Sequence, residues 1–220
     1  MSIRVSALLD GVREALQDKP KVRWTDAELV RHVQSAYSEI VLRKPELGAT
    51  VVPAHNLTAT ASRQQIPATA FRLLAINSVR NGTNVANVTA PVQIDRVTLS
   101  SQDPSWTLTN GDVSAFVYEP DSDPLTFYLY PRPTASSQAE LVVAVVPSAP
   151  INESNGLVNF PTANFALPVG YVGMVQDYVL YRAYAKDGTS GDANKSIAHY
   201  NLFMNALNSL AGGAMMQQPN

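Results

Sequence analysis

The sequence contains no cysteine among its 220 residues. A disulfide framework and a thiolate metal site are therefore both excluded. The absence also fits synthesis in a reducing compartment. A chain of this length can bury a hydrophobic core without cross-links, either as one large domain or as two small ones.

Charged side chains are also scarce. They make up 15% of the residues, against roughly 25% in ordinary soluble domains. Surfaces that carry few charges often become buried when proteins assemble. The formal net charge of −2 argues against a general basic patch that grips nucleic acid, because such a patch needs an excess of Lys and Arg.

Long hydrophobic runs are missing as well. No segment approaches the roughly 18 consecutive apolar residues that a membrane-spanning helix needs. The amino-terminal stretch MSIRVSALLDGVREALQDK is amphipathic and lacks the apolar core and cleavage site of a signal peptide. We therefore expect a soluble protein that is made in a cytoplasm and has no membrane partner.

The sequence motifs of common enzymes do not occur. There is no G-x-S-x-G, P-loop or G-x-G-x-x-G motif. His32, His55 and His199 are isolated, without the spacing of a zinc site, and Asp121 and Asp123 fit a turn better than a calcium loop. The sequence thus predicts no catalytic residue, metal or cofactor. A hydrolase whose two carboxylates are distant in sequence stays open as an alternative.

Two consecutive amphipathic helices are predicted between Leu167 and Leu210, separated by the turn-forming segment DGTSGDAN. The first helix has an unusually broad apolar face. Its large side chains at helical spacing are Tyr171, Met174, Tyr178, Tyr181 and Tyr184. A broad aromatic face is more often core than ligand site. We expect it to be covered on more than one side, by helices of the same chain, by other copies, or by both.

Two helices are also predicted near the amino terminus. The first covers about Val5 to Asp18 and ends before Pro20. The second begins at a capping box, Thr25-Asp-Ala-Glu28, in which Thr25 accepts from the third helical amide and Glu28 reaches back to the cap. It continues to about Arg43.

The hydrophobic period changes to short runs from about residue 48. Six strands are predicted, at 62–66, 71–80, 92–99, 114–119, 125–130 and 140–146. Asn81-Gly82 and the segment 120–124 are predicted turns. Short strands at this spacing favour an antiparallel sandwich or barrel-like module.

The strand LTFYLYP at 125–131 carries aromatic residues on both faces. A strand buried on both sides is the preferred interpretation, a subunit interface is the second, and a carbohydrate platform is the third. The carbohydrate platform ranks last because the run offers no acidic or amide partners.

These elements together predict an α+β fold. The amino- and carboxyl-terminal helix pairs, residues 1–48 and 167–211, are expected to form one four-helix bundle. Residues 49–166 form the inserted β module, and residues 212–220 a flexible tail.

Five segments, together with this order of elements, carry a resemblance to a known family. They are W-T-D-A-E-L-V (24–30), S-E-I-V-L-R-K-P (38–45), F-R-L-L (71–74), F-V-Y-E-P-D-S-D-P-L-T-F-Y-L-Y-P (116–131) and L-P-V-G-Y-V-G-M-V-Q-D-Y-V-L-Y-R-A-Y-A-K-D (167–187). The chain resembles the head-to-tail adaptor, or connector, proteins of tailed double-stranded DNA bacteriophages, particularly the short-tailed ones. The similarity covers most of the chain.

The resemblance implies a non-enzymatic structural protein of the virion, assembled in the bacterial cytoplasm. Such adaptors form a ring, usually of twelve copies, between the portal protein and the tail nozzle or tube. The ring extends the channel through which double-stranded DNA passes without sequence-specific binding. The broad aromatic face of 171–184 would then pack against its own chain and the neighbouring copy. A binding module for a glycan or a distal tail component is the alternative function.

The resemblance also gives the carboxyl-terminal tail a role. In adaptors of this type a carboxyl-terminal segment often reaches into the portal. The candidate docking residues are Met215, Met216, Gln217 and Gln218, since methionine adapts to irregular apolar grooves. A merely frayed end is the alternative.

Overall fold

A computed structural model describes residues 2–82, 87–152, 154, 156–160, 162–186 and 190–213. The chain divides into two compact units. Unit 1 comprises Met1–Lys44 and Val146–Asn220, and unit 2 comprises Pro45–Val145.

The described part of the chain contains five α-helices and eight strands. The helices are α1 (Val5–Leu16), α2 (Asp26–Arg43), α3 (Arg96–Gln102), α4 (Val172–Ala185) and α5 (Ser190–Gly213). The strands are β1 (Ala49–Leu57), β2 (Arg63–Gln65), β3 (Arg72–Arg80), β4 (Val88–Thr89), β5 (Val92–Gln93), β6 (Ala115–Val117), β7 (Thr126–Tyr130) and β8 (Ser137–Ala144). The predicted α+β class is confirmed.

The ends of the first two helices follow from local chemistry. Helix α1 ends at Leu16, because Gln17 adopts a left-handed conformation with φ of 54°, and such a residue closes a helix. The predicted end at Asp18 is therefore two residues too late. Helix α2 begins as predicted, since Thr25 Oγ1 accepts from Glu28 N at 3.2 Å. The Glu28 carboxylate, however, binds Lys186 Nζ at 2.8 Å.

Unit 1 is built on contacts among its long helices. Helix α4 contacts α1, α2 and α5. Tyr37 of α2 is completely buried, and its ring packs edge-on against Phe165 at a centroid distance of 5.5 Å. The Tyr37 hydroxyl also accepts from Ala166 N at 3.2 Å. The segment that leads into α4 is thus fixed against the buried side of α2.

Unit 2 contains two four-stranded sheets, with the orders β1-β8-β3-β4 and β2-β7-β6-β5. Buried side chains from both sheets form one hydrophobic cluster. Among its largest members are Leu57, Leu73, Ile76, Phe116, Phe127, Leu129 and Leu141. Over the residues described, neither sheet closes on itself, so the barrel-like alternative is wrong and the sandwich stays a prediction.

One strand pair also departs from the predicted antiparallel arrangement. β5 and β6 are parallel, with Val92 opposite Ala115. The chain between them passes through α3, and a crossover of this kind returns the chain in its original direction. The predicted strand at 92–99 is therefore wrong beyond Gln93. Asp95 ends it, because its Oδ2 accepts from Thr98 N at 3.0 Å and caps α3.

Candidate assembly surfaces

The aromatic residues of α4 lie mainly against α5 of the same chain. The ring of Tyr178 packs edge-on against Phe203 of α5, with centroids 4.9 Å apart. Tyr181 lies 5.0 Å from Tyr200. The ring of Tyr184 stacks on His199 at 5.8 Å. The helix pair therefore has an aromatic seam along most of its contact.

The predicted face is divided by this packing. Tyr178 and Tyr184 are buried, whereas Tyr171, Met174 and Tyr181 are half-buried. The structure thus brings three of the five residues to the α4–α5 contact and leaves surface available on the other two. The role of the face between copies stays a prediction.

Polar contacts fix the position of α4 and α5. His199 Nδ1 lies 2.9 Å from Asp177 Oδ1, and Ser196 Oγ donates to Tyr181 O at 3.0 Å. The hydroxyl of Tyr184 donates to Ala15 O of α1 at 3.1 Å. Because these bonds join three helices, any surface carried by α5 has a defined position within unit 1.

A buried ionic network joins the end of α1 to the start of α2. The guanidinium of Arg13, 3% exposed, donates from Nη2 to Asp26 Oδ1 at 2.7 Å. Lys21 Nζ binds the other oxygen of Asp26, also at 2.7 Å. Asp18 Oδ2 lies 3.6 Å from Arg13 Nη1. The network holds the connection between the two helices in one conformation.

The carboxylate of Asp18 also organises the loop that follows. It accepts from the backbone N–H groups of Val22, Arg23 and Trp24 at 2.9, 3.2 and 3.0 Å. Hydrogen bonds that favour the ionised form lower the pKa of a carboxyl group. The bond from Trp24 is the main reason that the pKa of Asp18 lies below its usual value.

Cations surround His32 on α2. Burial is the main cause that lowers the pKa of His32 from 6.5 to about 4, and the positive charge of Arg182 on α4 is the second. Arg31 and Lys186 act in the same direction, and Glu28 opposes them. His32 is therefore neutral at neutral pH. Its uncharged imidazole ring lies near the positive charges of Arg31, Arg182 and Lys186.

Helix α5 presents an uncharged surface on its side away from α4. Ile197 is 59% exposed and Leu202 is 53% exposed, with Asn201 and Asn205 also exposed on the same side. No Asp, Glu, Lys or Arg occurs in the sequence after Lys195. The sequence alone already shows this run without charge. Exposed apolar side chains on an uncharged helix face are typical of a surface that another protein covers.

The candidate portal-docking residues Met215, Met216, Gln217 and Gln218 lie outside the described residues.

The aromatic strand at 125–131 is an interior element. Within its sheet β7 lies between β2 and β6, and Phe127 and Leu129 are completely buried. Tyr128 packs edge-on against Trp106 at 5.8 Å. One face of the strand is therefore buried, as the preferred interpretation expects, whereas Tyr128 and Tyr130 on the other face are half-buried.

The acidic residues beside this strand serve a turn. Asp123 binds Arg63 Nη2 at 3.1 Å and accepts from the hydroxyl of Thr126.

Within the residues that the structure describes, no group of three or more His, Asp or Glu could hold a metal ion. In that same part of the chain, no helix has the length and apolarity to cross a membrane.

The exposed apolar side of α5, which carries no charge after Lys195, is typical of a protein that presents a surface for assembly. The model of the SU10 adaptor protein family matches residues 3–220, which is nearly the whole chain. The chain belongs to this family, so the predicted relationship to bacteriophage head-to-tail adaptors is confirmed. The protein is thus a virion component of the head–tail junction. Comparison with curated proteins finds no match.

Proposed function

We propose that this protein forms a ring of twelve copies between the portal and the tail nozzle or tube of a short-tailed phage. The family match over residues 3–220 is the observation that carries the proposal. The ring extends the DNA channel and gives the tail a docking platform. Its role is structural rather than enzymatic, and the ring assembles in the host cytoplasm.

The composition supports a protein whose surface is covered in a particle. A closed ring needs two different complementary patches on each copy, because its contacts run head to tail. The exposed, uncharged side of α5, which includes Ile197 and Leu202, supplies one surface of the required kind. The net charge of −2 favours passage of DNA through the ring over tight, sequence-specific binding.

In this proposal the four long helices of unit 1 act as a four-helix bundle and unit 2 as a β-sandwich. Neighbouring bundles pack side by side around the channel. Tyr171 and Met174, which keep part of their surface exposed, extend the aromatic seam of α4 toward the next copy. Tyr178, Tyr181 and Tyr184 hold α5 in the position that this contact needs.

The carboxyl-terminal tail is the proposed portal anchor. Met215 and Met216 fill a groove on the portal, and Gln217 and Gln218 hydrogen-bond at its rim. Deletion of residues 212–220 should therefore weaken docking to the portal while leaving α1 to α4 intact and shortening α5 by only its last two residues. Unchanged docking of the deletion variant would remove this role from the tail.

The experiment that tests the function mixes the purified protein with the portal ring of its phage. Native mass spectrometry or analytical ultracentrifugation then gives the mass of the product. We expect a discrete complex with about one copy per portal subunit. A portal that binds other tail components but not this protein would place it farther along the tail.

A further inference from the structure

The two sheets of unit 2 end, on each side, in strands that have only one neighbour. Among the residues described, β1 pairs only with β8 and β2 only with β7, and at the opposite ends β4 pairs only with β3 and β5 only with β6. A strand with one neighbour leaves a row of backbone N–H and C=O groups that can pair with another chain. Unit 2 therefore has two open sides.

The first open side consists of β1 and β2. These strands belong to different sheets but lie together, since His55 Nε2 is 2.8 Å from Gln65 O. A groove of about 660 Å³ lies between their ends, lined by residues of both strands. Two large apolar side chains on this side are solvent-exposed, Val51 by 55% and Leu125 by 52%.

The opposite open side consists of β4 and β5, which follow each other closely in the chain. Thr89 Oγ1 of β4 donates to Val113 O, near the start of β6, which brings the two sheet ends together. Val88 is 51% exposed and Val92 is 70% exposed. Apolar side chains thus stand at both open sides of the unit.

The edge strands themselves carry almost none of the charges that usually keep strand edges apart. Natural edge strands are commonly blocked by charged residues, above all lysine. β1, β4 and β5 contain no charged residue, and no lysine occurs between residues 45 and 145. The one cation in β2, Arg63, is paired with Asp123. Pro53 and the bulge between Val52 and His55 restrict strand pairing on β1 to the part that includes Val51.

The two sides differ from each other in length and in sequence. β1 has nine residues, and β4 has two. A two-fold dimer would join identical patches, whereas a ring joins one patch to a different one on the next copy. Two unlike sides on opposite ends of one unit, each with exposed apolar side chains and little charge in its edge strands, fit the ring arrangement. The occupant of each side is therefore a second copy of this chain.

We propose that the β1/β2 side of one copy docks on the β4/β5 side of the next, so that the sheets continue from copy to copy. This contact rests on the proposed ring for its closure. It assigns the head-to-tail contact to unit 2 as well as to the helices.

Because this chain has no cysteine, a thiol-specific linker reacts with it only at cysteines that are introduced. The test uses a double variant, Val51→Cys with Val88→Cys, assembled on the portal ring. The ring is treated with a bismaleimide linker of about 10 Å, a length of roughly two strand spacings. Three spacings, about 14 Å, separate β1 from β4 within one sheet. The linker therefore joins these two positions between copies and not within one copy.

The expected product is a ladder of covalent multiples of 23.8 kDa in denaturing electrophoresis. Each single variant alone should stay at the mass of one chain. The matched control pairs Val51→Cys with Leu108→Cys, because Leu108 is exposed by 65% but lies in a loop, and it should give no ladder. Native mass spectrometry of the same samples shows separately whether the ring has formed.

The other outcomes overturn the inference in different ways. A ring of normal mass without a ladder would reject the strand-edge contact while leaving the proposed function in place. Dimers from a single variant would show a two-fold contact instead of a head-to-tail one. Loss of both the ring and the ladder in every variant, with the unaltered protein also failing to bind the portal, would reject both proposals.

Discussion

The buried network around Arg13 allows a quantitative test of what holds α1 and α2 together. The substitution Arg13→Met keeps the length of the side chain but removes its charge and its donors. Asp26, 18% exposed, would lose the bond of 2.7 Å to Arg13. Removing one partner of a buried ion pair typically costs about 3–5 kcal/mol, because the other charge stays desolvated.

The expected cost here lies below that range. Asp26 keeps its bond of 2.7 Å to Lys21, and Asp18 keeps its three backbone donors. We therefore expect Arg13→Met to lower the free energy of unfolding of unit 1 by about 2–3 kcal/mol. A loss of this size lowers the melting temperature by roughly 5–10 °C for a protein of this length.

The two tryptophans make the assay specific for one unit. Trp24 is buried in unit 1 and Trp106 in unit 2, so in a Trp106→Phe background urea unfolding followed by fluorescence reports on unit 1 alone. The control is Lys19→Met, which removes an ion pair with Glu14. The side chains of Lys19 and Glu14 are 73% and 69% exposed. Exposed pairs contribute little, so its transition should not move. Equal stability of the Arg13→Met and Lys19→Met variants would refute the importance of the buried network.

Three further outcomes follow from single contacts. Tyr184→Phe removes the donor to Ala15 O and should destabilise unit 1 by about 1 kcal/mol, measured by urea unfolding; an unchanged midpoint would contradict it. Asp95→Ala removes the cap of α3 and should cost about 1 kcal/mol, with Trp106 fluorescence as the readout and no change in the Trp24 transition. Because the pKa of His32 falls from 6.5 to about 4 on folding, the unfolded chain binds the proton first as the pH falls. Stability is therefore full above pH 6.5 and is lost progressively toward pH 4, by at most about 3 kcal/mol. His32→Asn should flatten this part of the stability curve, and an equally steep curve in the variant would assign the dependence to another group.

Local sequence signals predicted the helices well. The capping box at Thr25 marked the start of α2, and helical spacing from Tyr171 onward marked α4. Both signals depend on residues within one or two helical turns, so the rest of the chain does not alter them. The same local chemistry also explains a failure, since Asp95 followed by Thr98 was a cap signal inside a segment predicted as a strand.

The sheets were predicted less completely because strand pairing is not local. β1 was missed, although it has nine residues, since Pro53 interrupts its pattern and most of its side chains are exposed. Its position is set by β8, whose residues follow some ninety positions later, as in the pair Thr50 and Val143. A proline at a bulge on an edge strand is compatible with a sheet, but the sequence alone does not show which strand is at the edge.

The candidate surfaces show the same distinction between composition and placement. The low content of charged residues predicted assembly. The charged residues are, however, distributed unevenly over the structure. They are absent from α5 after Lys195 and from the edge strands β1, β4 and β5, whereas the α1–α2 connection holds Arg13, Asp18 and Asp26 in one network. A uniformly neutral surface would favour nonspecific association. Neutral stretches confined to one helix side and two sheet edges instead restrict contacts to defined positions, which is what a ring with a fixed number of copies requires.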